Sequence, residues 1–299
     1  MLSFKVYGME DKTLFESFTL CHGYHNIEAS FTNNFIWRKA WNTQIAADDN
    51  AMYMLLNNGK DQPYMLTPFL RDCDKSIGPS LEKCERYLQK TFGSPLLVRG
   101  ITKNIKEKIE RDCPGEYTFE EKRDYFDYVY LAEDLCALKG KRYSAKRNHI
   151  NSLLKLHRAE YRRYTPDDYD ACVSLQEKWI QNKGENLEDY AVERVVIEQA
   201  LGNIDRLNLR CGLLLVDGRL EAFSIGEKFV DDMVIIHIEK ANPNMRGTFA
   251  LINREFARNE WCGTRYINRE EDLGIAGLRK AKLSYYPDHM IEKYDCVRK

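Results

Sequence analysis

The sequence predicts an α+β protein built from two tandem domains, and three observations carry that expectation. Its 299 residues fit two domains of roughly 150 residues better than one. The second half holds three consecutive strand-like runs, the first two joined at Asp217-Gly218, a strong two-residue hairpin signal. An ungapped match also links segments 138 positions apart: Tyr128, Glu133, Asp134, Leu135, Lys141 and Arg142 align with Tyr266, Glu271, Asp272, Leu273, Arg279 and Lys280. The expected domains are residues 1–157 and 158–299, with no Gly/Ser-rich linker between them.

Taken in order, the first half shows an early helix over Lys12 to Thr19 and a hairpin over Tyr53 to Leu66, turned at Asn57-Asn58-Gly59. A helix follows over Ser80 to Thr91, then a strand at Pro95 to Val98. Lys103 to Arg111 is a helix and Tyr125 to Leu131 a strand. Ser144 is a natural N-cap for a basic helix that places Ile150, Leu153, Leu154 and His157 at helical spacing and closes the first domain.

The second half opens with a strand at Glu160 to Tyr164. Thr165, Pro166 and Asp167 then start a helix that runs to about Asn182. A second helix covers Glu188 to Leu201. The meander follows as Asn208 to Val216, Leu220 to Phe229 and Met233 to Lys240, with a turn at Asp231-Asp232. Pro243, Asn244 and Gly247 mark a loop ahead of an amphipathic helix, Thr248 to Trp261. Arg265 to Asn268 is a strand, Ala276 to Leu283 a short helix and Ile291 to Val297 a last strand.

Composition narrows the class. A hydrophobic content of 43% supports a proper core, and the longest apolar runs fall far short of the roughly 20 residues of a membrane span. No signal peptide is evident, and nine scattered cysteines without a Cys-x-x-Cys pair read as reduced thiols, so a cytoplasmic location is expected. Net charge is −1, yet charge is unevenly spread: Lys139 to Arg163 holds nine cations against Glu160 alone. Such a block forms either a solvated face or a binding site. Lys146 and Arg147 fall in the first turn of the basic helix, with Lys141 and Arg142 just ahead. Cations at the positive end of a helix dipole are unfavourable by themselves, so an anion such as phosphate is the expected ligand there.

The element order, with a loop and helix after the third meander strand, resembles the GNAT acyltransferase fold. Three tracts resemble one branch of it: Leu135-Cys-Ala-Leu-Lys-Gly-Lys-Arg-Tyr-Ser-Ala-Lys-Arg-Asn-His-Ile-Asn151, His237-Ile-Glu-Lys-Ala-Asn242 and Asn268 to Pro287. They are similar to the family named after the C-terminal domain of phosphatidylglycerol lysyltransferase. The resemblance implies two GNAT-like domains, each a mixed, mostly antiparallel sheet flanked by helices. It also implies transfer of an amino acid from aminoacyl-tRNA to an amine or hydroxyl, the acceptor being a small molecule, a peptide or a lipid headgroup. Lipid-modifying relatives carry a membrane-spanning flippase, and no such segment is found in these residues. Coenzyme A-dependent GNAT enzymes carry Arg/Gln-x-x-Gly-x-Gly/Ala. Here the loop reads Asn242-Pro-Asn-Met-Arg-Gly-Thr-Phe249, which leaves Met245 or Phe249 where the backbone should approach phosphate. Arg246, Gly247 and Thr248 remain phosphate-loop candidates.

Acyl transfer needs a base, an oxyanion stabiliser and positioning. The resemblance places the reacting groups where the third meander strand parts from the strand after the loop-helix. Glu239 is the expected base, with Asp272 a second catalytic candidate; the alternative for Glu239 is a structural pair with Arg269. His237 reads as a satisfied core histidine. Arg269, Glu270, Glu271 and Asp272 form either a loop clip or a polar binding floor, with Arg279 or Lys282 turning back towards them. Substrate-binding candidates are Lys141, Arg142, Lys146, Arg147, Asn148, Asn268, Arg269, Arg279 and Lys282. No nucleophilic triad, P-loop, dinucleotide fingerprint or metal-ligand cluster is evident. Two further functions stay open: an acyl-CoA-dependent N-acyltransferase, and a non-catalytic module binding RNA or another anion.

Overall fold

The computed structural model describes residues 2–19, 24–183, 187–230 and 232–299, with side chains described outside 178–190. In the first stretch lie β1 (Lys5–Val6), α1 (Lys12–Thr19), α2 (Phe31–Trp41), β2 (Gln44–Ala47), β3 (Ala51–Leu56), β4 (Tyr64–Leu66), β5 (Phe69–Leu70), α3 (Gly78–Phe92), β6 (Leu97–Thr102), α4 (Lys103–Asp112) and β7 (Tyr117–Glu121). Then come β8 (Asp127–Leu131), α5 (Ala132–Ala137), α6 (Ser144–Leu156), β9 (Ala159–Arg163), α7 (Tyr169–Lys183) and α8 (Leu187–Leu201). The chain ends with β10 (Leu209–Val216), β11 (Arg219–Val230), β12 (Met233–Ala241), α9 (Thr248–Glu260), β13 (Tyr266–Asn268), α10 (Ala276–Leu283), β14 (His289–Ile291) and β15 (Lys293–Arg298).

Most expected elements are present. Part of the Asp231-Asp232 turn lies outside the described residues. The helix α2 was not expected, because its sequence carries two asparagines and four aromatics. It forms because Ser30 accepts from the Asn33 amide at 2.9 Å and Phe31, Phe35 and Ile36 are buried. The strands β2, β7 and β14 and the one-and-a-half-turn α5 were also unforeseen, each too short for its period to declare itself. Ser144 is the first residue of α6 rather than its cap. The 3-10 turn Lys141–Tyr143 runs straight into the helix and the Ser144 amide bonds Lys141 O, so this start is less open to an anion than expected.

Two compact units emerge, and they do not follow chain order. One comprises Met1–Asp127, Glu271–Ala276 and Met290–Lys299; the other comprises Tyr128–Glu270 and Gly277–His289. The boundary expected at 157/158 therefore lies inside the second unit. The reason is strand pairing: β15, last in the chain, sits between β6 and β7, while β8 pairs with β13. Tyr266 lies opposite Leu131, so the strands that open the two matching tracts are neighbours in one sheet. The equivalence ends there. Leu135 is buried whereas Leu273 is 53% exposed with a positive φ.

In the first unit the sheet order is β1-β2-β3-β4-β6-β15-β7, with β5 on β3 and one parallel pair, β4 with β6. Its interior strand β3 is buried at every residue, so its sequence is a continuous apolar run. Lys293 opens β15 and is 1% exposed. Its Nζ lies 2.6 Å from Asp127, 2.8 Å from Glu28 and 3.3 Å from Glu271.

The second sheet runs β14-β8-β13-β12-β11-β10-β9. Asp217 and Gly218, both at positive φ, make the β10–β11 hairpin as expected. Parallel pairing of β12 with β13 stops at Ile235–Asn268, although β12 continues to Ala241. Beyond that point the two strands are free to part. A bulge in the β11–β12 ladder leaves His237 as the extra residue, since Ile225 faces Ile238 and Gly226 faces Ile236.

Candidate functional site

Glu239 stands on β12 past the end of its pairing with β13, and Arg269 directly follows β13. Arg269 Nη2 donates to Glu239 Oε1 at 3.0 Å, and Asn253 Nδ2, from α9, donates to Glu239 Oε2 at 2.9 Å. All three are nearly buried: the side chains of Glu239 and Arg269 are 13% and 11% exposed and Asn253 is 4% exposed. Burial works against the Arg269 charge, but Glu239 beside it keeps the guanidinium above its ordinary range. Two buried polar atoms of the cluster, Arg269 Nη1 and Asn253 Oδ1, have no hydrogen-bond partner among the described residues. One is a donor and the other an acceptor, so the cluster holds one unused hydrogen-bonding group of each kind.

Tyr285 completes the site. Tyr143 donates to its carbonyl at 3.0 Å, and Tyr130 donates to Lys282 O at 2.8 Å, which fixes the chain just after α10. The Arg269 guanidinium lies 4.8 Å from the Tyr285 ring centroid and Lys146 Nζ lies 3.9 Å from it. Lys146 reaches the ring from the first turn of α6. Its pKa is lowered to about 8, first by burial and then by Arg269, with Glu239 opposing. Its charge therefore changes close to neutral pH, unlike an ordinary lysine.

The four consecutive charges after β13 go to four different partners. Arg269 takes Glu239, and Glu270 accepts from His237 Nδ1 at 2.8 Å. In the first unit, Glu271 meets Lys293 and Asp272 meets Arg123 at 3.3 Å. They form neither a single clip nor a single binding floor. His237 is indeed a satisfied core histidine, 1% exposed, with Nε2 also 3.2 Å from Glu227. Burial opposes its charge, yet the bonds to Glu227 and Glu270 raise it to about 9, so it is an imidazolium at neutral pH.

The fold thus brings Glu239, Arg269 and Lys146 together and disperses the other candidates. Asp272 is fully buried in the first unit, where it accepts from the Gly274 amide. Arg142 pairs with Asp134 at 2.6 Å, and Arg147 donates to Leu138 O and Gly140 O, closing the end of α5. Lys282 is 8% exposed and donates to Arg269 O, and Asn268 accepts from the Glu270 amide. Lys141 and Asn148 are exposed, and Arg279 is half-buried on α10.

The phosphate-loop candidates are engaged in packing. Arg246 bonds His149 at 2.8 Å, and the buried Thr248 hydroxyl donates to Asn242 O and Met245 O. Gly247 has φ 105°, and a Cβ there would meet His149 O at 2.6 Å. Its small size serves the close approach to α6. Gly247→Ala should therefore cost about 1–3 kcal/mol in urea unfolding; a loss within 0.5 kcal/mol, which is roughly that of an ordinary surface change, would show that α6 yields easily. Sequence reasoning missed Asn253. Its signal was available, since a lone asparagine sits between Ala250 and Ala257 on the buried stripe of α9.

Fold and site together define a tandem GNAT-like protein. The chain belongs to the family described as phosphatidylglycerol lysyltransferase, C-terminal, which matches residues 23–297. A conserved protein of unknown function from Bacteroides thetaiotaomicron is 35% identical, with TM-score 0.91 and full coverage of both chains. L-PGS from Bacillus licheniformis superposes with TM-score 0.64 at 14% identity, over 97% of this chain and 92% of that one. A tandem GNAT protein from the clavulanic acid biosynthesis pathway gives 0.57 at 11%, over 100% and 98%. An uncharacterized protein of Mycoplasmoides gallisepticum is 23% identical over 170 residues, 56% of this chain and 54% of that protein. The chain thus spans about half the length of that curated relative. Among the described residues no helix is long and apolar enough to cross a membrane.

Proposed function

We propose that this chain transfers an aminoacyl group from aminoacyl-tRNA to an amine or hydroxyl acceptor at the Glu239–Arg269–Lys146 site. The carrying observation is the buried cluster in which Arg269 Nη1 and Asn253 Oδ1 are left as an unused donor and acceptor beside Lys146. Family membership supports the class, since the family description is of a lysyltransferase. The acceptor's N–H or O–H faces Glu239 and Asn253 Oδ1. As its nitrogen or oxygen bonds to the ester carbonyl, its proton passes to Glu239. The oxyanion that develops faces Arg269 Nη1 and the Lys146 ammonium, in a partly buried site. Collapse of the intermediate breaks the ester bond, and Lys146 gives its proton to the departing ribose oxygen, which leaves as a hydroxyl.

The test is deacylation of mixed aminoacyl-tRNA by the purified protein, with simple amines, polyols and lipid headgroups as acceptors. Loss of the ester bond should accelerate, and that rate should fall by about 10²–10⁴-fold in Glu239→Gln. Binding of tRNA should weaken steeply as salt rises. No acceleration with any charged tRNA, together with a salt-resistant rise in melting temperature on adding acyl-CoA, would replace this reading with an acyl-CoA N-acyltransferase. Salt-sensitive tRNA binding without turnover would leave an RNA-binding module.

A further inference from the structure

Cys136 lies in the last turn of α5, and Cys262 lies two residues beyond α9. They are 126 residues apart in sequence, yet their Sγ atoms stand 2.6 Å apart, closer than non-bonded sulfurs normally sit. Cys262 is exposed and Cys136 half-buried, so an oxidant in solvent reaches the pair from the Cys262 side. Most of the other described thiols are buried, at Cys84, Cys113, Cys172, Cys211 and Cys296, while Cys73 is exposed. Burial, aided by Cys262, pushes the Cys136 thiol up, and the exposed Cys262 is the partner that an oxidant meets first.

We infer that Cys136 and Cys262 form an oxidisable dithiol that a hydroperoxide converts into a disulfide tying the end of α5 to the end of α9. The Cys262 thiolate attacks one peroxide oxygen and the O–O bond breaks. The hydroxide released takes up the proton that Cys262 lost, and Cys262 becomes a sulfenic acid. The Cys136 sulfur then attacks the Cys262 sulfur, the S–O bond breaks, and hydroxide leaves as water with the Cys136 proton. Two thiols lose two electrons and the peroxide gains them. Both tied helices bear on the candidate site, α9 through Asn253 and α5 through the carbonyl that Arg147, next to Lys146, holds. The bond would close a long loop, the geometry in which a cross-link restricts the unfolded chain most.

The experiment treats the intact protein with hydrogen peroxide, then counts alkylatable thiols, maps non-reduced peptides and records the melting temperature. The expected result is a Cys136–Cys262 cross-linked peptide, with both of these thiols lost to alkylation. The melting temperature should rise by about 4–8 °C, reversed by dithiothreitol. Cys262→Ser and Cys136→Ser should each abolish the cross-link and the shift. Because Cys262 is exposed, the Cys262→Ser variant should melt with the reduced wild type, which separates loss of the bond from loss of the fold. The inference is overturned if both thiols stay alkylatable at a peroxide dose that consumes Cys73. It is equally overturned if Cys262 proceeds to sulfinic acid without cross-linking.

Discussion

Replacing Lys293 with methionine should cost about 3–5 kcal/mol of stability, the range expected when one partner of a buried ion pair is removed. Lys293 is a buried cation with three carboxylates, Asp127, Glu28 and Glu271, within 3.3 Å. Removing it leaves their charge buried without a counter-charge, and methionine supplies apolar volume but no donor. The loss should depend on pH with a definite sign. Glu28 already titrates above its ordinary value, first because of burial, with Lys293 pulling it back down. Without Lys293 it moves further up, so the folded variant binds a proton that the unfolded chain does not. Stability gained that way is complete below the unfolded pKa and is lost as pH rises through the folded one. The deficit should therefore be smaller at pH 5 than at pH 8, as read from urea denaturation followed by circular dichroism. A loss below about 1 kcal/mol, the ordinary effect of a point change, would mean that the three carboxylates are satisfied without Lys293.

The second large effect concerns Lys146, where activity and stability should move in opposite directions. Lys146→Met should slow aminoacyl transfer by about 10²–10³-fold, the usual cost of removing one donor to a developing oxyanion. The same change should raise stability at pH 7 by roughly 1–3 kcal/mol, after a discount for partial exposure. Here the sign is that of a depressed base. The folded value is about 8, below that of the unfolded chain, so folding loses stability as pH falls towards 8 and stays penalised below it. The wild-type transfer rate should fall above pH 8, where the ammonium loses its proton. Thermal melting and single-turnover transfer on the same preparation test both halves. If Lys146→Met melts lower than wild type with its transfer rate unchanged, Lys146 is a packing residue and the site assignment fails.

That opposition is what a built site looks like. A half-buried amine next to an arginine costs folding energy, and Tyr285 and Glu239 only partly offset it. The same holds for Arg269 Nη1 and Asn253 Oδ1, which are buried with no hydrogen-bond partner among the described residues. A chain selected for stability alone would fill those positions with apolar side chains. By contrast, the imidazolium of His237 has a carboxylate on each nitrogen, and that satisfied arrangement reads as structure.

What the sequence determined by itself was local. The meander and its Asp217-Gly218 turn, the loop-helix after β12 and the short helix at Ala276 were legible because period and turn chemistry act over a few residues. Glu239, Arg269 and Lys146 could also be singled out, since each stood in an identifiable tract. The tertiary structure alone decided which charge meets which. Asp272, adjacent in sequence to Glu271 and grouped with Arg269, was assigned to Arg123, and Arg147, one residue from Lys146, was given to the end of α5. It also decided that β15 and β8 serve sheets that chain order does not predict, and that Cys136 meets Cys262. The physical reason is common to all of these. Ion pairs, strand ladders and sulfur contacts form between residues many tens of positions apart, and a charge or thiol carries no mark of its partner until the backbone has closed the distance.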